Sequence, residues 1–538
     1  MVSNLIWDAW LPIKRKSGAK ALIAPWQLTE ADDPVVALNA PRPDFNGALV
    51  QFLIGLLQTT ATPKNHNDWA AWLEEPPTPA VLKAHFEPYA EAFALQGEKG
   101  SFMQDFELLD DAGFNSIAEL LIDSPGGNTV KENKDHFIKR GRVEQVCPCC
   151  AAMALFSLQT NAPSGGQGHR TSLRGGGPLT TLVVVDESRD LPNGLWRNVW
   201  LNVLIKQTLN TLTGDKDKTE LAAIFPWMAK TRTSEKNTGK ETTPLDVHPL
   251  QMYWGMPRRI RVQWQSALSG HCDLCNAASD ALVTQYQTKN YGVNYVGTWQ
   301  HPLSPYSMSK SGDLLPQHPQ PGGMTYQHWL GLFEGHESQF SAVVVKRYRQ
   351  LANDWDEQLR LYTFGYDMDN MKARCWYETT FPLFTIPETI RGDFIRRVQV
   401  LTDSSSEFAS FVRSCVKEAW FKRPSDAKGD VSFLTQSFYQ HTEIAFYQAA
   451  KALQTKLVDG TDQTVLHSWH DTLRNAAFDL FDYWAARGDI AQANPRRVAD
   501  ARSKLIALCH SKKIKEILQL PITEKNSSKT SKPKKEAA

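Results

Sequence analysis

Beyond about residue 387 the apolar positions recur every three to four residues, in four blocks near 387–422, 432–454, 464–487 and 495–519. The third block sets Leu466, Trp469, Leu473, Ala477, Leu480 and Trp484 on one helical face, and the fourth does the same with Val498, Ala501, Leu505 and Leu508. Asp459-Gly460 and Asn494-Pro495 punctuate the blocks as turns. Helices of similar length joined by short loops predict an antiparallel four-helix bundle over 387–520. The segment 521–538 is rich in Lys and Ser and nearly devoid of apolar residues, which predicts a disordered basic tail.

The pattern before residue 380 is mixed. Ile6-Trp7, Trp10-Leu11-Pro12-Ile13 and Ala21-Leu22-Ile23 read as short strands around a basic turn at 14–20 that contains Gly18. Helical spacing follows at 47–60 and 66–95, the second interrupted by Pro76-Pro77. The apolar run 151–158 predicts a short helix, and the β-branched run 179–185 a buried strand. Residues 258–264 alternate basic or polar with apolar residues, as a half-exposed strand does. Residues 210–245, polar and rich in Lys and Thr, predict an exposed insertion, and 123–142 a long cationic loop. The expected fold is α+β, with a mixed α/β domain over 1–380 ahead of the bundle.

Composition narrows the function classes. A chain of 538 residues exceeds one hydrophobic core and suggests several domains. With 59 basic and 58 acidic residues the formal charge is only +1, whereas a lone nucleic-acid binder is usually visibly basic. Any contact with nucleic acid must then come from local patches. The N-terminus has Asp8 where a secretory leader would carry its apolar core, and no apolar run has the length of a membrane span. Eight Cys in so long a chain make no disulfide framework, and a cytoplasmic location is expected.

Five of those cysteines fall in two clusters. Cys147-x-x-Cys150 and Cys272-x-x-Cys275 supply four thiols, a set suited to a closed structural zinc site. Cys149 leaves open which sulfur of the first knuckle ligates, and a metal-free relic or unrelated buried cysteines are the alternatives. A deaminase-type catalytic zinc fails: His85-x-Glu87 precedes the first knuckle, but Pro148-Cys149 would need a Cys where Ala152 stands.

Three further segments carry candidate chemistry. The glycine-rich stretch 164–178 lacks the Gly-Lys-Ser/Thr ending of a Walker loop, yet its glycines allow positive φ and close approach to a polyanion, with Arg170 and Arg174 for charge. A bland turn is the alternative. Lys289, flanked by Tyr286 and Tyr291 in a polar stretch, suits groove contact or a solvated loop. Asp367, Asp369 and Asn370 with Met368 and Met371 read as a turn with polar tips, or as the carboxylates of a metal-dependent nuclease.

In their fixed order, several segments resemble the large subunit of the type I-E CRISPR surveillance complex, Cascade. They are Trp10-Leu-Pro12, the first knuckle with Ala154-Leu-Phe156, Asn161-Ala-Pro163, and the glycine-rich stretch running into Leu173-Arg-Gly-Gly-Gly-Pro-Leu-Thr-Thr-Leu182. Trp254-Gly-Met-Pro-Arg-Arg-Ile-Arg261, the second knuckle, His301-Pro-Leu-Ser-Pro305 and Gly365-Tyr-Asp-Met-Asp-Asn-Met371 complete the set. The resemblance implies a non-catalytic subunit that joins a guide-RNA ribonucleoprotein. Such a subunit reads the short motif beside the target (the PAM) from the minor groove of double-stranded DNA, helps open the duplex and recruits a helicase-nuclease in trans. It further implies a glycine loop at Ser164, Gly165, Gly166 and Gly168, a lysine finger at Lys289, and a wedge at Asp369, Asn370 and Met371. This wedge carries Asn or Met where the family's commonly carries Gln. Asn128 and Phe137, in the loop similar to the family's first flexible loop, are the implied guide or DNA contacts.

Overall fold

The computed structural model describes residues 2–125, 141–166, 168–186, 194–214, 220–264, 268–336, 338–351, 359–369, 372–426, 429–488 and 494–521. Asn128, Phe137, Asn370, Met371 and the tail beyond residue 521 lie outside them. The chain divides into two compact units, one of residues 1–324 with 331–385 and the other of 325–330 with 386–538. The fold is α+β, mixed in the first unit and helical in the second.

The first unit is built around the helix Pro43–Thr60. Proline in its first turn supplies a preset φ where no intrahelical N–H bond is needed. Its residues are buried on nearly every face, as expected of a helix inside a core rather than on its surface. Phe52 is the hub, meeting Trp10, Phe93, Phe156 and Trp254 edge-on at 5.2–5.8 Å. Two glycines let this helix approach its neighbours: a Cβ at Gly47 would stand 2.7 Å from the Trp376 ring, and one at Gly55 3.1 Å from Tyr253.

Three of this unit's antiparallel sheets carry the segments singled out in the sequence. In the first, Leu11–Arg15 lies between Lys20–Ile23 and Val35–Leu38. The basic turn is there, with Gly18 at φ +88°, but Ile6-Trp7 forms a turn rather than a strand, because Ile6 and Leu5 are sunk in the core. In the second sheet Gln285–Lys289 runs between Phe114–Ser116 and Arg259–Val262. In the third, Leu359–Asp369 lies between Lys372–Pro382 and the β-branched strand Thr180–Val185, with Thr363 opposite both Thr181 and Thr379.

One of the remaining expectations holds and another needs correction. As expected, the stretch 66–95 is interrupted at Pro76-Pro77, giving helices His66–Glu74 and Pro79–Phe86 followed by a 3-10 helix Glu87–Phe93, because proline lacks the N–H, its ring clashes with the preceding turn and it drives the residue before it out of the helical region. The correction concerns 210–245, which is not an exposed insertion throughout. Phe225 and Trp227 are fully buried, and the Trp227 indole donates to the Ala92 carbonyl at 2.5 Å, so two large aromatics anchor an otherwise polar stretch.

In the second unit the helices Glu388–Trp420, Ser432–Val458, Gln463–Ala485 and Pro495–Cys509 form a bundle in which the first touches all the others. Its interior holds Phe394, Leu401, Phe408, Phe438, Phe446, Trp469, Leu473 and Leu505, and the Trp469 indole donates to the Leu401 carbonyl at 3.1 Å. Residues 325–330 belong here through Tyr326, whose hydroxyl lies 2.8 Å from that of Thr442 and whose ring stacks on Phe446 at 4.2 Å. The last expected helix breaks at His510-Ser511 and resumes as Lys512–Ile517.

Candidate nucleic-acid interface and metal centre

The glycine-rich segment 164–178 connects the helix Pro148–Asn161 to the strand Thr180–Val185, and its two ends are pinned differently. At the C-terminal end Ser172 N–H donates to the Ala162 carbonyl (2.9 Å) and Gly177 N–H to the Asn161 carbonyl (3.0 Å), closing the loop on its own base. At the N-terminal end the Arg258 guanidinium donates to the Pro163 carbonyl, while Gln159 accepts from the Arg258 N–H at 2.9 Å. Between these pins Ser164, Gly165 and Gly166 are exposed and Gly168 is half-buried. Gly166 and Gly168 have φ +85° and +79°, a region that L side chains enter only at a cost.

The loop touches both other predicted segments. Gly168 accepts the Tyr291 N–H at 2.7 Å, two residues beyond Lys289, and a Cβ there would lie 2.8 Å from the Asn290 Cβ. At the far end a Cβ on Gly177 would meet the Tyr366 carbonyl at 2.7 Å and Met368 at 2.9 Å, on the strand that ends at Asp369. The loop therefore spans from the strand end bearing Lys289 to the hairpin bearing Asp369. Asn370 and Met371 are outside the described residues.

Individual side chains differ from expectation. Lys289 does not sit in a free loop between two accessible rings. It ends the strand Gln285–Lys289 opposite Arg259, Tyr286 is buried, and its ammonium forms an ion pair with the exposed Asp111. Arg174 is no phosphate ligand. It is buried, donating to Gln51, Thr180 (3.1 Å) and Ser304 (3.0 Å). Arg170 donates to the Ser234 hydroxyl at 2.7 Å, which ties the loop to a third segment. Asp367 and Asp369 do not make an open pair of metal-ligating carboxylates. Asp367 is buried and takes the Arg374 guanidinium in a fork at 2.7 and 3.0 Å, and Asp369 lies 3.8 Å from the same group.

Four thiols gather elsewhere in the first unit. The Sγ atoms of Cys147, Cys150, Cys272 and Cys275 all lie within 4.8 Å of one another, with Cys147 and Cys275 3.7 Å apart. A tetrahedral metal with metal–sulfur bonds of about 2.3 Å has sulfur–sulfur edges of about 3.8 Å, so the donor set fits the ion in number, type and spacing. Cys149 stands outside this set, which settles the choice within the first knuckle. The first knuckle opens a helix, with Cys147 at its N-cap accepting the Cys150 N–H. The second is a tight turn in which Asn276 adopts φ +59° between the paired Gly270–His271 and Ala278–Ser279. Asp273 joins them: its carboxylate accepts the N–H groups of Glu144 (2.7 Å) and Gln145 (2.9 Å). Among the described residues no His or carboxylate belongs to the cluster, and all-thiol sets of this kind are typical of structural rather than catalytic metal.

Sequence reading missed Arg258 as the loop's anchor and Asp111 as the partner of Lys289. Neither had a local signal, since Arg258 lies 95 residues from Pro163 and the ion pair joins the end of a strand to a turn far away in the sequence.

No described helix is long and apolar enough to cross a membrane. The family model described as CRISPR-associated protein Cse1 matches residues 4–480. Thermobifida fusca Cse1 superposes with a TM-score of 0.69 at 15% identity, covering 96% of this chain and 98% of its own. Thermus thermophilus CasA (Cse1) gives 0.66 at 16% identity, covering 95% and 99%. A chain of a CRISPR RNA-guided surveillance complex gives 0.61 at 15%, covering 94% and 99%. With a match over most of its length and the same fold end to end, this chain belongs to the CRISPR-associated Cse1 family.

Proposed function

We propose that the protein is the large, DNA-recognition subunit of a type I-E CRISPR surveillance complex. It reads the PAM in double-stranded DNA from the minor groove, promotes opening of the duplex for guide-RNA pairing and recruits a helicase-nuclease in trans, without catalysis of its own. The observation that carries the reading is the junction at the glycine loop, where Gly168 meets the residues after Lys289 and Gly177 meets the strand leading to Asp369. Exposed backbone at Ser164, Gly165 and Gly166 admits a sugar-phosphate edge closely, and a Lys beside it supplies the positive charge that a groove attracts. The wedge role falls to Asp369, Asn370 and Met371; an apolar tip unstacks a base step as inserted Met does in other minor-groove proteins. Asn128 and Phe137 are assigned to guide or DNA contact.

Domain roles follow the same reading. Residues 1–380 carry recognition, with zinc on the four thiols as a structural staple, and the bundle 387–520 offers a surface to other subunits. The near-neutral charge suits a subunit that holds only a few phosphates within a larger ribonucleoprotein. The test is Lys289→Ala in the assembled complex. Binding of a PAM-containing duplex should weaken about tenfold while assembly with guide RNA stays at wild-type levels. Equal loss of both, or DNA cleavage by the purified chain with Mg²⁺, refutes the assignment.

A further inference from the structure

Beneath the glycine loop, the base of segment 164–178 covers a small cavity of about 20 Å³ whose lining includes Ser172, Leu173, Arg174, Tyr253, Gly255 and His301. Three features of its wall are unusual together. The Arg174 side chain, 4% exposed, carries a full positive charge into the core. Its protein partners are all neutral: the Gln51 amide oxygen and the hydroxyls of Thr180 and Ser304. Those bonds use three of the five guanidinium donors. Second, the Tyr253 hydroxyl is buried with no protein partner at all. Third, His301 Nδ1 accepts the Leu303 N–H at 3.2 Å, which fixes a neutral ring's proton on Nε2 and makes that atom a donor.

We infer that the cavity bounded by Arg174, Tyr253 and His301 is a binding site for one small monovalent anion, a chloride or other halide. The cavity wall is rich in donors and supplies a charge that the protein leaves unbalanced. Among the described residues, the titratable groups that interact with Arg174 are the phenols of Tyr253 and Tyr306 and the imidazoles of His301 and His318, with no carboxylate among them. Burial pushes the Tyr253 phenol above its ordinary range, and burial and Arg174 together hold His301 neutral, so neither group balances the charge. A buried cation without a counter-charge is costly, and the penalty is relieved by an anion or by access to water. A single water would satisfy the Tyr253 hydroxyl yet leave the guanidinium uncompensated; a halide accepts from both. The volume sets the size limit. It exceeds the roughly 10–15 Å³ that one water needs, and is far too small for sulfate, acetate or glutamate.

The site supports function without touching DNA. Ser172 and Arg174 close the base of the glycine loop, so an anion bound there stabilises the loop from below. The experiment uses the full chain. Crystals soaked in sodium bromide are measured for anomalous scattering, and thermal unfolding is followed in sodium chloride against sodium glutamate at matched ionic strength. The expected result is an anomalous peak between Arg174 and Tyr253, with a melting temperature that rises saturably in halide and not in glutamate. Tyr253→Phe should keep the fold and raise the halide concentration at half-effect about tenfold, the loss of one hydrogen bond to a charge. Arg174→Gln should abolish the halide response. No anomalous peak with equal melting in both salts would mean water alone occupies the cavity and would overturn the inference. A halide response unchanged in Tyr253→Phe would overturn it as well.

Discussion

Gly168→Ala separates the loop's conformation from its contacts, because Gly166 and Gly168, both of positive φ, differ in what surrounds them. At Gly166 a Cβ meets nothing within 4 Å, so alanine costs only the left-handed backbone, about 1–2 kcal/mol. At Gly168 the same backbone cost applies, and the Cβ also lies 2.8 Å from the Asn290 Cβ and 3.0 Å from the Tyr291 nitrogen. That nitrogen belongs to the main chain and donates to Gly168 itself, so it cannot swing away as a long side chain would. Overpacking of this kind adds about 1–3 kcal/mol. The combined penalty of about 2–5 kcal/mol is relieved by moving the loop or by displacing Asn290 and Tyr291, and with them the end of the Lys289 strand. Apparent affinity falls by the fraction of molecules that keep the binding geometry, at about 1.4 kcal/mol per factor of ten. Gly168→Ala should therefore weaken PAM-containing duplex by at least about thirtyfold, and Gly166→Ala by about five- to thirtyfold. The assay is fluorescence anisotropy of a labelled duplex with the assembled complex, with gel filtration to verify assembly. Duplex affinity of Gly168→Ala within about twofold of wild type would refute the claim that the loop and the Lys289 strand end act as one surface.

Three further outcomes follow from particular contacts. Asp111→Asn releases Lys289 from its ion pair and removes an exposed carboxylate beside the loop, so duplex association should be about threefold faster at low salt by stopped flow; slower association would contradict the role of Lys289. Asp273→Ala removes an acceptor shared by two backbone N–H groups and should lower zinc affinity by about 10–100-fold in a competition titration with a chromogenic chelator; unchanged affinity would show that the two knuckles are positioned without it. His328, half-buried in the second unit with Nδ1 accepting the Thr325 N–H, is pushed down to about 4 by desolvation. Its neutral form is favoured in the fold, so its stabilisation is complete above the unfolded value near 6.5, is lost as pH falls from there, and is gone below about 4. The difference is about 3 kcal/mol, measurable as the change in urea-unfolding free energy between pH 7 and 4, and His328→Gln should remove that share of the slope.

Local chemistry reached the sequence directly. The four-block periodicity after residue 387 gave the helical unit nearly residue by residue, because an amphipathic stripe is a property of spacing alone. The β-branched run Thr180–Val185, the proline break at 76–77 and the positive φ of the loop glycines were equally visible, since each depends on the residue's own backbone preferences. The two Cys-x-x-Cys pairs announced a thiol cluster, but which of Cys147, Cys149 and Cys150 belonged to it needed the helix that turns Cys149 aside from the set.

Tertiary structure decided what the charges do. Arg174 in a glycine-rich loop looked like a phosphate ligand and is instead sunk against Gln51, a helix residue 123 positions away. Asp367 and Asp369, read as polar tips of a turn or, alternatively, as a metal pair, answer to one guanidinium across the hairpin. Lys289 looked like a free loop cation and closes a strand against Arg259 while facing Asp111. The physical reason is the same in each case: backbone preference acts over a few residues, whereas the environment of a charge is set by whichever distant segments the fold brings within a few ångströms of it.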